Sequence, residues 1–337
     1  MSPDDGDRVE DLDAWIAAKA LTEYEVAPGS ELRLVNRSEN TVFGLTDAAT
    51  GEQSMLRVHR PGYHHRHQIE SELDWLAAIR RDDVVTVPTV CAARDGRRVV
   101  TVDGVDAGPR HVVRFALIPG AHPDEDCLTE RDFHDLGRVT AALHEHSRRW
   151  RRPPGFDRFA WDWDSSLGCR PRWGRWQDSA GVGPDQRRVL AGAQDLLQQR
   201  LTEYGRSPDR FGLVHADLRL ANLLVDAGVI AAIDFDDCGF SWFFYDFGAA
   251  VSFIEDDPAV PQWQDAWLAG YRTAGQVSAV DEEMLASFVM LRRLKLLAWM
   301  GTHDHALESQ TKLTTYAEGS CELAERYMTS GGRLVHR

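Results

Sequence analysis

Residues 211–248 read FGLVHADLRLANLLVDAGVIAAIDFDDCGFSWFFYDFG. Two apolar runs, Leu223-Leu224-Val225 and Val229-Ile230-Ala231-Ala232-Ile233, flank Asp226-Ala227-Gly228. A glycine-bearing turn between two such runs predicts a tight β-hairpin. A hairpin sets the start of its first strand beside the end of its second. Asn222 stands at the first of these positions and Asp234 at the second. Leu213 and Val214 run apolar into His215-Ala216-Asp217, and Asn222 follows Asp217 by five residues. Asp217, Asn222 and Asp234 are therefore expected to converge on one small volume.

Phosphoryl transfer to a hydroxyl needs such a set. One carboxylate accepts the proton of the attacking hydroxyl, while an amide oxygen and a second carboxylate hold a magnesium ion against the nucleotide phosphates. An Asp, an Asn five residues on and a later Asp follow the order of a kinase catalytic loop. Taken singly, an Asp and an Asn more simply cap turns. Here the His, the Asp, the Asn, both apolar runs and the later Asp agree, which favours the catalytic reading.

HADLRLANLLV (215–225), IDFDDCGF (233–240) and FYDFG (244–248) together resemble the aminoglycoside phosphotransferase family, within it the branch of stress-response kinase A and homoserine-kinase-like proteins. The resemblance extends to LRVHRPGY (56–63), ESELDWLAAIR (70–80), IPG (118–120) and LRRLKLLAWMGTHDH (291–305), and so covers nearly the whole chain. It implies an α+β, two-lobed, protein-kinase-like fold. A small antiparallel β-sheet of five strands with one helix would form an N-lobe over 1–117. A mainly helical C-lobe would cover 118–337, with the catalytic loop at 213–237 and an aromatic-rich insert at 150–180. It further implies an ATP- and Mg2+-dependent kinase with Asp217 as base and Asn222 and Asp234 as metal ligands. His215 and Asp246 would be structural supports, Asp246 bracing the loop from beneath. Arg219 would neutralise charge on the transferring phosphoryl group, or else stand as an exposed loop arginine. The motif is specific to the superfamily and not to a substrate.

Bulk properties bound the remaining choices. A chain of 337 residues, 43% hydrophobic and 27% charged, is long enough for two lobes with cores of their own. Its 38 basic and 53 acidic residues give a net charge of -15, which disfavours nucleic acid as a partner. No apolar run reaches the length of a membrane span, and the N-terminal stretch MSPDDGDRVEDLD carries no apolar signal. The five cysteines are scattered without a Cys-x-x-Cys pair, so neither zinc nor a disulfide framework is indicated. A cytoplasmic protein, a monomer or a homodimer, is the expectation.

Residues 1–8 are expected to be disordered, with a short amphipathic helix after them. Leu32–Val35 and Thr41–Leu45 read as strands around a glycine-free turn, 36–40. Ser38 and Asn40 are candidates for nucleotide contact there; an ordinary hairpin turn is the plainer alternative. Arg57, on the strand at 54–60, stands where a kinase carries its phosphate-binding lysine, and Glu72 on the following helix is its candidate partner. A surface salt bridge is the alternative for this pair. His64-His65-x-His67 invites a metal reading, but no carboxylate or cysteine completes it in sequence. Further strands are expected at 84–89, 98–102 and 111–118. The fold analogy places adenine against the backbone near Ala116 and Ile118, at a hinge between the lobes.

The insert holds Phe156, Phe159, Trp161, Trp163, Trp173 and Trp176 among Asp162, Asp164, Arg170, Arg172 and Arg175. Trp161, Asp162, Trp163 and Asp164 are candidate substrate contacts; stapling of an irregular insert is the alternative. Single-stranded nucleic acid could use such a mixture, but the net charge opposes it. Arg292, Arg293 and Lys295 interrupt an apolar helix, where they are expected to face anionic groups of a substrate. With so many bases expected near the site, a zwitterionic or neutral acceptor is favoured over a polycationic aminoglycoside. The acceptor class is thus a small-molecule hydroxyl: an amino alcohol, a hydroxy amino acid, a sugar or an antibiotic. A Ser/Thr protein kinase and, given Arg57 and the glycine-free turn, a nucleotide-binding pseudokinase are the two competing readings.

Overall fold

Apolar residues at alternate positions, broken by polar turns, set the strands of the first half of the chain. The computed structural model describes residues 3–37, 39–103, 108–124, 127–303 and 307–332. These form two compact units: Met1–Pro119 with Arg152–Asp157, and Gly120–Arg151 with Arg158–Arg337.

The first unit contains α1 (Pro3–Leu21), β1 (Glu31–Arg37), β2 (Thr41–Thr46), β3 (Gln53–Val58), α2 (Arg66–Arg81), β4 (Val90–Cys91), β5 (Val100–Val102) and β6 (Arg110–Ala116). All pairs are antiparallel, in the order β1-β2-β3-β6-β4, with β5 also on β6. Among the described residues the sheet thus has six strands, one more than the resemblance implied and as many as the strand positions read along the chain. The strand expected at 84–89 is displaced to Val90–Cys91; Pro88 has no N–H to give to a ladder.

Helix α1 starts at Pro3, within the stretch expected to be disordered. A proline at the first helical position and acidic residues just after it suit a helix start. Its Ile16, Ala17 and Ala20, with Tyr24 beyond it, join Phe43, Leu45, Leu56, Val58 and Val112 in one core. Asp13 fixes the helix to the sheet. Its carboxylate accepts from Arg110 Nη2 at 2.7 Å and from the Thr41 hydroxyl at 2.5 Å.

The second unit contains α3 (Glu130–Arg149), α4 (Trp163–Ser166), α5 (Pro184–Tyr204), β7 (Phe211–Val214), β8 (Leu223–Asp226), β9 (Val229–Ala232), β10 (Gly239–Trp242), α6 (Tyr245–Ala250), α7 (Val260–Tyr271), α8 (Ala279–Thr302) and α9 (Leu307–Thr329). Helices α3 and α7 cross closely enough that a Cβ on Gly137 would overlap the Trp267 backbone, and one on Gly270 the His134 backbone. The strands form two ribbons, β7–β10 and β8–β9. The β8–β9 hairpin closes over Ala227 and Gly228, both at positive φ (+46° and +84°), the backbone of a type I′ turn.

Candidate active site

Two loops meet because the ribbons force them to. Val214, the last residue of β7, pairs with Gly239, the first of β10. The segment leaving β7 (215–222) and the one entering β10 (233–238) therefore share an edge. At their far ends Leu223 pairs with Ala232, and the Ile233 amide donates to the Asn222 carbonyl at 2.9 Å.

Asp217 lies in the first loop with its side chain about one-fifth exposed (20%). Asn222 Nδ2 donates to its carbonyl at 2.8 Å and to its Oδ2 at 2.9 Å. Arg292 Nη2 donates to Oδ1, and Arg219 Nε stands 3.9 Å from Oδ2. Burial pushes the Asp217 pKa up, but Arg292, Arg219 and His215 together outweigh it and hold the carboxyl below the ordinary aspartate value. Asp217 is thus ionised and fixed at both oxygens.

A buried network shapes this loop. Asp246 Oδ1 accepts the Ala216 amide at 2.9 Å, and Oδ2 accepts the His215 amide at 3.3 Å and His144 Nε2 at 3.0 Å. A carboxylate only accepts, so His144 carries its proton on Nε2, and Tyr271 donates its hydroxyl to Nδ1 at 3.0 Å. His215 sits likewise: Nε2 donates to the Ile233 carbonyl at 3.0 Å, and Nδ1 accepts the Asp217 amide at 3.3 Å. Burial lowers the pKa of both imidazoles. Ala216 has φ +68°, a conformation unfavourable for a residue with a Cβ. Asp246 grips the amide of that residue.

The donor set suits a hard divalent cation. Because the Asn222 amide nitrogen turns to Asp217, its oxygen faces the other way. Asp234, exposed and at φ +60°, follows Ile233, which is bonded to Asn222. One amide oxygen and one carboxylate fit a metal held mainly by phosphate and water oxygens. Among the described residues no group of three or more His, Cys, Asp or Glu could hold a metal ion by itself.

The bases of α8 do not all face this site. Arg292 reaches Asp217, but Arg293 turns to Glu255 (2.8 Å), Asp256 (3.0 Å) and Ser320 (2.7 Å). One residue along a helix rotates a side chain by about 100°, so the two arginines leave different faces and meet different partners. This corrects the expectation that all three bases meet a substrate. Lys295, one turn beyond Arg292, donates to Tyr245 Oη at 2.6 Å and lies over the rings of Trp161 (3.7 Å) and Trp173 (4.7 Å). Burial lowers the Lys295 pKa well below that of an ordinary lysine, and Arg292 lowers it further.

In the insert, Trp161 is buried and donates Nε1–H to the Asp237 carbonyl at 2.8 Å. Asp162 caps α4 through the Ser165 amide (3.1 Å) and pairs with Arg206 (2.9 Å). Trp163 is half-buried, and Asp164 is exposed with Oδ1 3.7 Å from Cys169 Sγ. Of these four, Trp161 stands next to the loop that carries Asp237.

In the first unit Arg57 Nη2 donates to both carboxylate oxygens of Glu72, at 2.8 and 2.7 Å. The pair is buried (7% and 0% exposed side chains), not a surface bridge. The Asn40 amide oxygen accepts the Arg60 amide at 3.1 Å, which ties the start of β2 to the end of the β3 segment. Ser38 lies outside the described residues. The Ala116 amide donates to the Thr89 carbonyl at 2.8 Å, while Ile118 lies past the end of β6. His67 does meet a carboxylate, Asp157, at 2.9 Å, and buried His64 packs on Tyr63.

Residues 31–282 match the APH family, described as a phosphotransferase enzyme family. The chain belongs to that family. It is 27% identical over 233 residues to the amicoumacin kinase of Bacillus subtilis (strain 168), across 66% of each chain, just under two thirds of either. Among solved structures, a microcompartment-associated aminopropanol kinase is 61% identical, with a TM-score of 0.89 over 96% of this chain and 100% of that one. The amicoumacin kinase hAmiN, solved with AMP-PNP, Ca2+ and Ami, has a TM-score of 0.76 at 21% identity, covering 93% of each chain. The fold is therefore that of the kinase-like phosphotransferases, with a small antiparallel sheet and a largely helical remainder. The APH chain is an ATP-dependent phosphotransferase acting on a hydroxyl of a small molecule; the protein-kinase and pseudokinase readings are not favoured. Among its described residues no helix is long and apolar enough to cross a membrane.

Sequence reasoning missed the Arg292–Asp217 pair and the His144–Asp246 pair. The first had a signal in Arg292 and Lys295, spaced by three on one helical face. Contacts spanning 75 and 102 residues leave no local trace.

Proposed function

We propose that this chain transfers the γ-phosphoryl group of ATP, with Mg2+, to the hydroxyl of a small amino alcohol of the aminopropanol kind. The 61% identity to an aminopropanol kinase over that protein's full length carries the choice of acceptor. The charge pattern agrees with it. Arg292 is neutralised by Asp217, and Arg293 by Glu255 and Asp256. Asp162, Glu255 and Asp256, which a polycation would seek, already have arginine partners. An acceptor with a single ammonium meets neither a carboxylate-rich rim nor strong repulsion.

Asp217 accepts the hydroxyl proton as the oxygen attacks phosphorus. Asn222 Oδ1 and Asp234 hold the metal. When bound, Mg2+ neutralises the developing charge of the phosphates. Arg219 stands beside Asp217 and supplies positive charge to the transferring phosphoryl group. His215 and Asp246 keep the loop in shape. Arg57, oriented by Glu72, binds nucleotide phosphate, and the backbone at Ile118 is the better adenine contact because the Ala116 amide is taken.

ADP release measured across aminopropanol, ethanolamine, homoserine, amicoumacin and kanamycin tests the acceptor. Aminopropanol should give the highest kcat/KM, and a clear preference for kanamycin would overturn the choice. Replacing Asp217 by Ala should lower kcat by about 10³-fold or more while ATP binding stays nearly intact; retained turnover would remove Asp217 from the role of base.

A further inference from the structure

Arg292 lies ten residues past the last position of the family match, 282. Its side chain is 3% exposed and surrounded by acceptors. Nε donates to Ser252 Oγ at 2.9 Å, and Nη1 to the Ala216 carbonyl and Tyr245 Oη, each at 3.3 Å. Nη2 donates to Asp217 Oδ1. A guanidinium so engaged has little left to offer an anionic substrate. What it holds is the reacting loop itself: the carboxylate of Asp217 and the carbonyl of the strained residue before it.

The hold is two-sided. Asn222 Nδ2 takes Asp217 Oδ2 while Arg292 takes Oδ1, so turning the carboxylate breaks a bond at each oxygen. Arg292 is itself backed by Tyr245, whose hydroxyl also receives Lys295 Nζ at 2.6 Å. A cation on a general base weakens it as a proton acceptor, so any benefit to the reaction must come from geometry.

We propose that Arg292 is a positioning residue for phosphoryl transfer, fixing Asp217 and the Ala216 carbonyl so that the carboxylate meets the acceptor hydroxyl in line with the phosphoryl group. The inference rests on the reading of Asp217 as the base. Tyr245 supports it by holding Arg292 in place.

The test uses the full chain with Arg292→Met, Arg292→Lys and Tyr245→Phe, aminopropanol as acceptor, and calorimetry for ATP. A misplaced catalytic group loses about 10²-fold in rate. Arg292→Met should lose about that in kcat, with the ATP Kd and the acceptor KM within about threefold of the parent. Arg292→Lys, which restores a donor and a charge, should recover about tenfold of the loss. Tyr245→Phe should fall between the parent and Arg292→Met. A folded Arg292→Met with near-parental kcat would overturn the proposal, as would equal losses in kcat and ATP affinity or a lysine no better than methionine. If Arg292→Met does not fold, unchanged kcat in both other variants overturns it. Turnover retained by Asp217→Ala removes the base reading and this inference with it. An inactive Asp217→Ala beside a fully active Arg292→Met removes the inference alone.

Discussion

Replacing Asp246 by Asn should show how far the reacting loop depends on a group that touches no substrate. Asp246 is fully buried, and its two oxygens accept three N–H donors: Ala216, His215 and His144. Asparagine offers one oxygen and one NH2 in the same shape. If the oxygen keeps Ala216, the NH2 faces the His215 amide, donor against donor. His144 can adapt by moving its proton to Nδ1 and accepting at Nε2, since the Tyr271 hydroxyl can also accept. One bond to a charged acceptor is then lost, and one buried donor is left unpaired. Such bonds contribute about 1.5–3 kcal/mol, and an orphaned buried donor costs about 1–3 kcal/mol. A loss of about 3 kcal/mol follows, more than a hundredfold in the folding equilibrium. Urea unfolding followed by tryptophan fluorescence measures it; at a slope near 3 kcal/mol/M the midpoint falls by about 1 M. With Ala216 less firmly held at φ +68°, kcat should also fall by about tenfold or more. A stability change below about 0.5 kcal/mol together with unchanged kcat would refute the bracing role.

Other outcomes follow from the same geometry. Gly270→Ala, which drives a methyl into the His134 backbone, should destabilise the second unit by about 2 kcal/mol or more and lower its thermal midpoint. Arg57→Met leaves Glu72 buried without its partner, so stability should drop by about 3–5 kcal/mol in the same urea titration and ATP affinity should weaken with it. His144 and His215 have pKa values lowered by burial from the ordinary 6.5, so the unfolded chain binds protons that the folded chain refuses. Their contribution is complete above pH 6.5 and is lost as pH falls below it towards their folded-state values. Each can remove at most about 1.4 kcal/mol per pH unit, and stability measured between pH 7 and 5 checks the sign. Chelation of divalent ions should abolish turnover, and Mg2+ should restore it.

The hairpin from Leu223 to Ala232 was legible because turn chemistry and alternation are local properties. Asn222 beside the end of the second strand follows from that hairpin alone. The Arg57–Glu72 pair was legible as strand and helix positions, though its burial was not. The six-stranded sheet departs from expectation where Pro88 shifts a strand by a few residues. What sequence could not convey is which face of α8 meets the loop. Arg292 and Arg293 are neighbours of one residue type, and only packing sends one to Asp217 and the other to Glu255. The His144–Asp246 bond was hidden for the same reason, since the two residues meet only through the crossing of distant helices.

The position of α1 bears on where this chain may be cut. The family match opens at residue 31, yet Ile16, Ala17, Ala20 and Tyr24 lie within the sheet's own core, and Asp13 is the partner of buried Arg110. A truncation drawn at that boundary would uncover Phe43, Leu45 and Leu56 and leave buried Arg110 without its carboxylate partner. Such a fragment should self-associate through the bared face rather than persist as a folded monomer. Shortening from the front should therefore keep at least Leu12 onward, because Leu12 and the described helix side chains after it pack against that core.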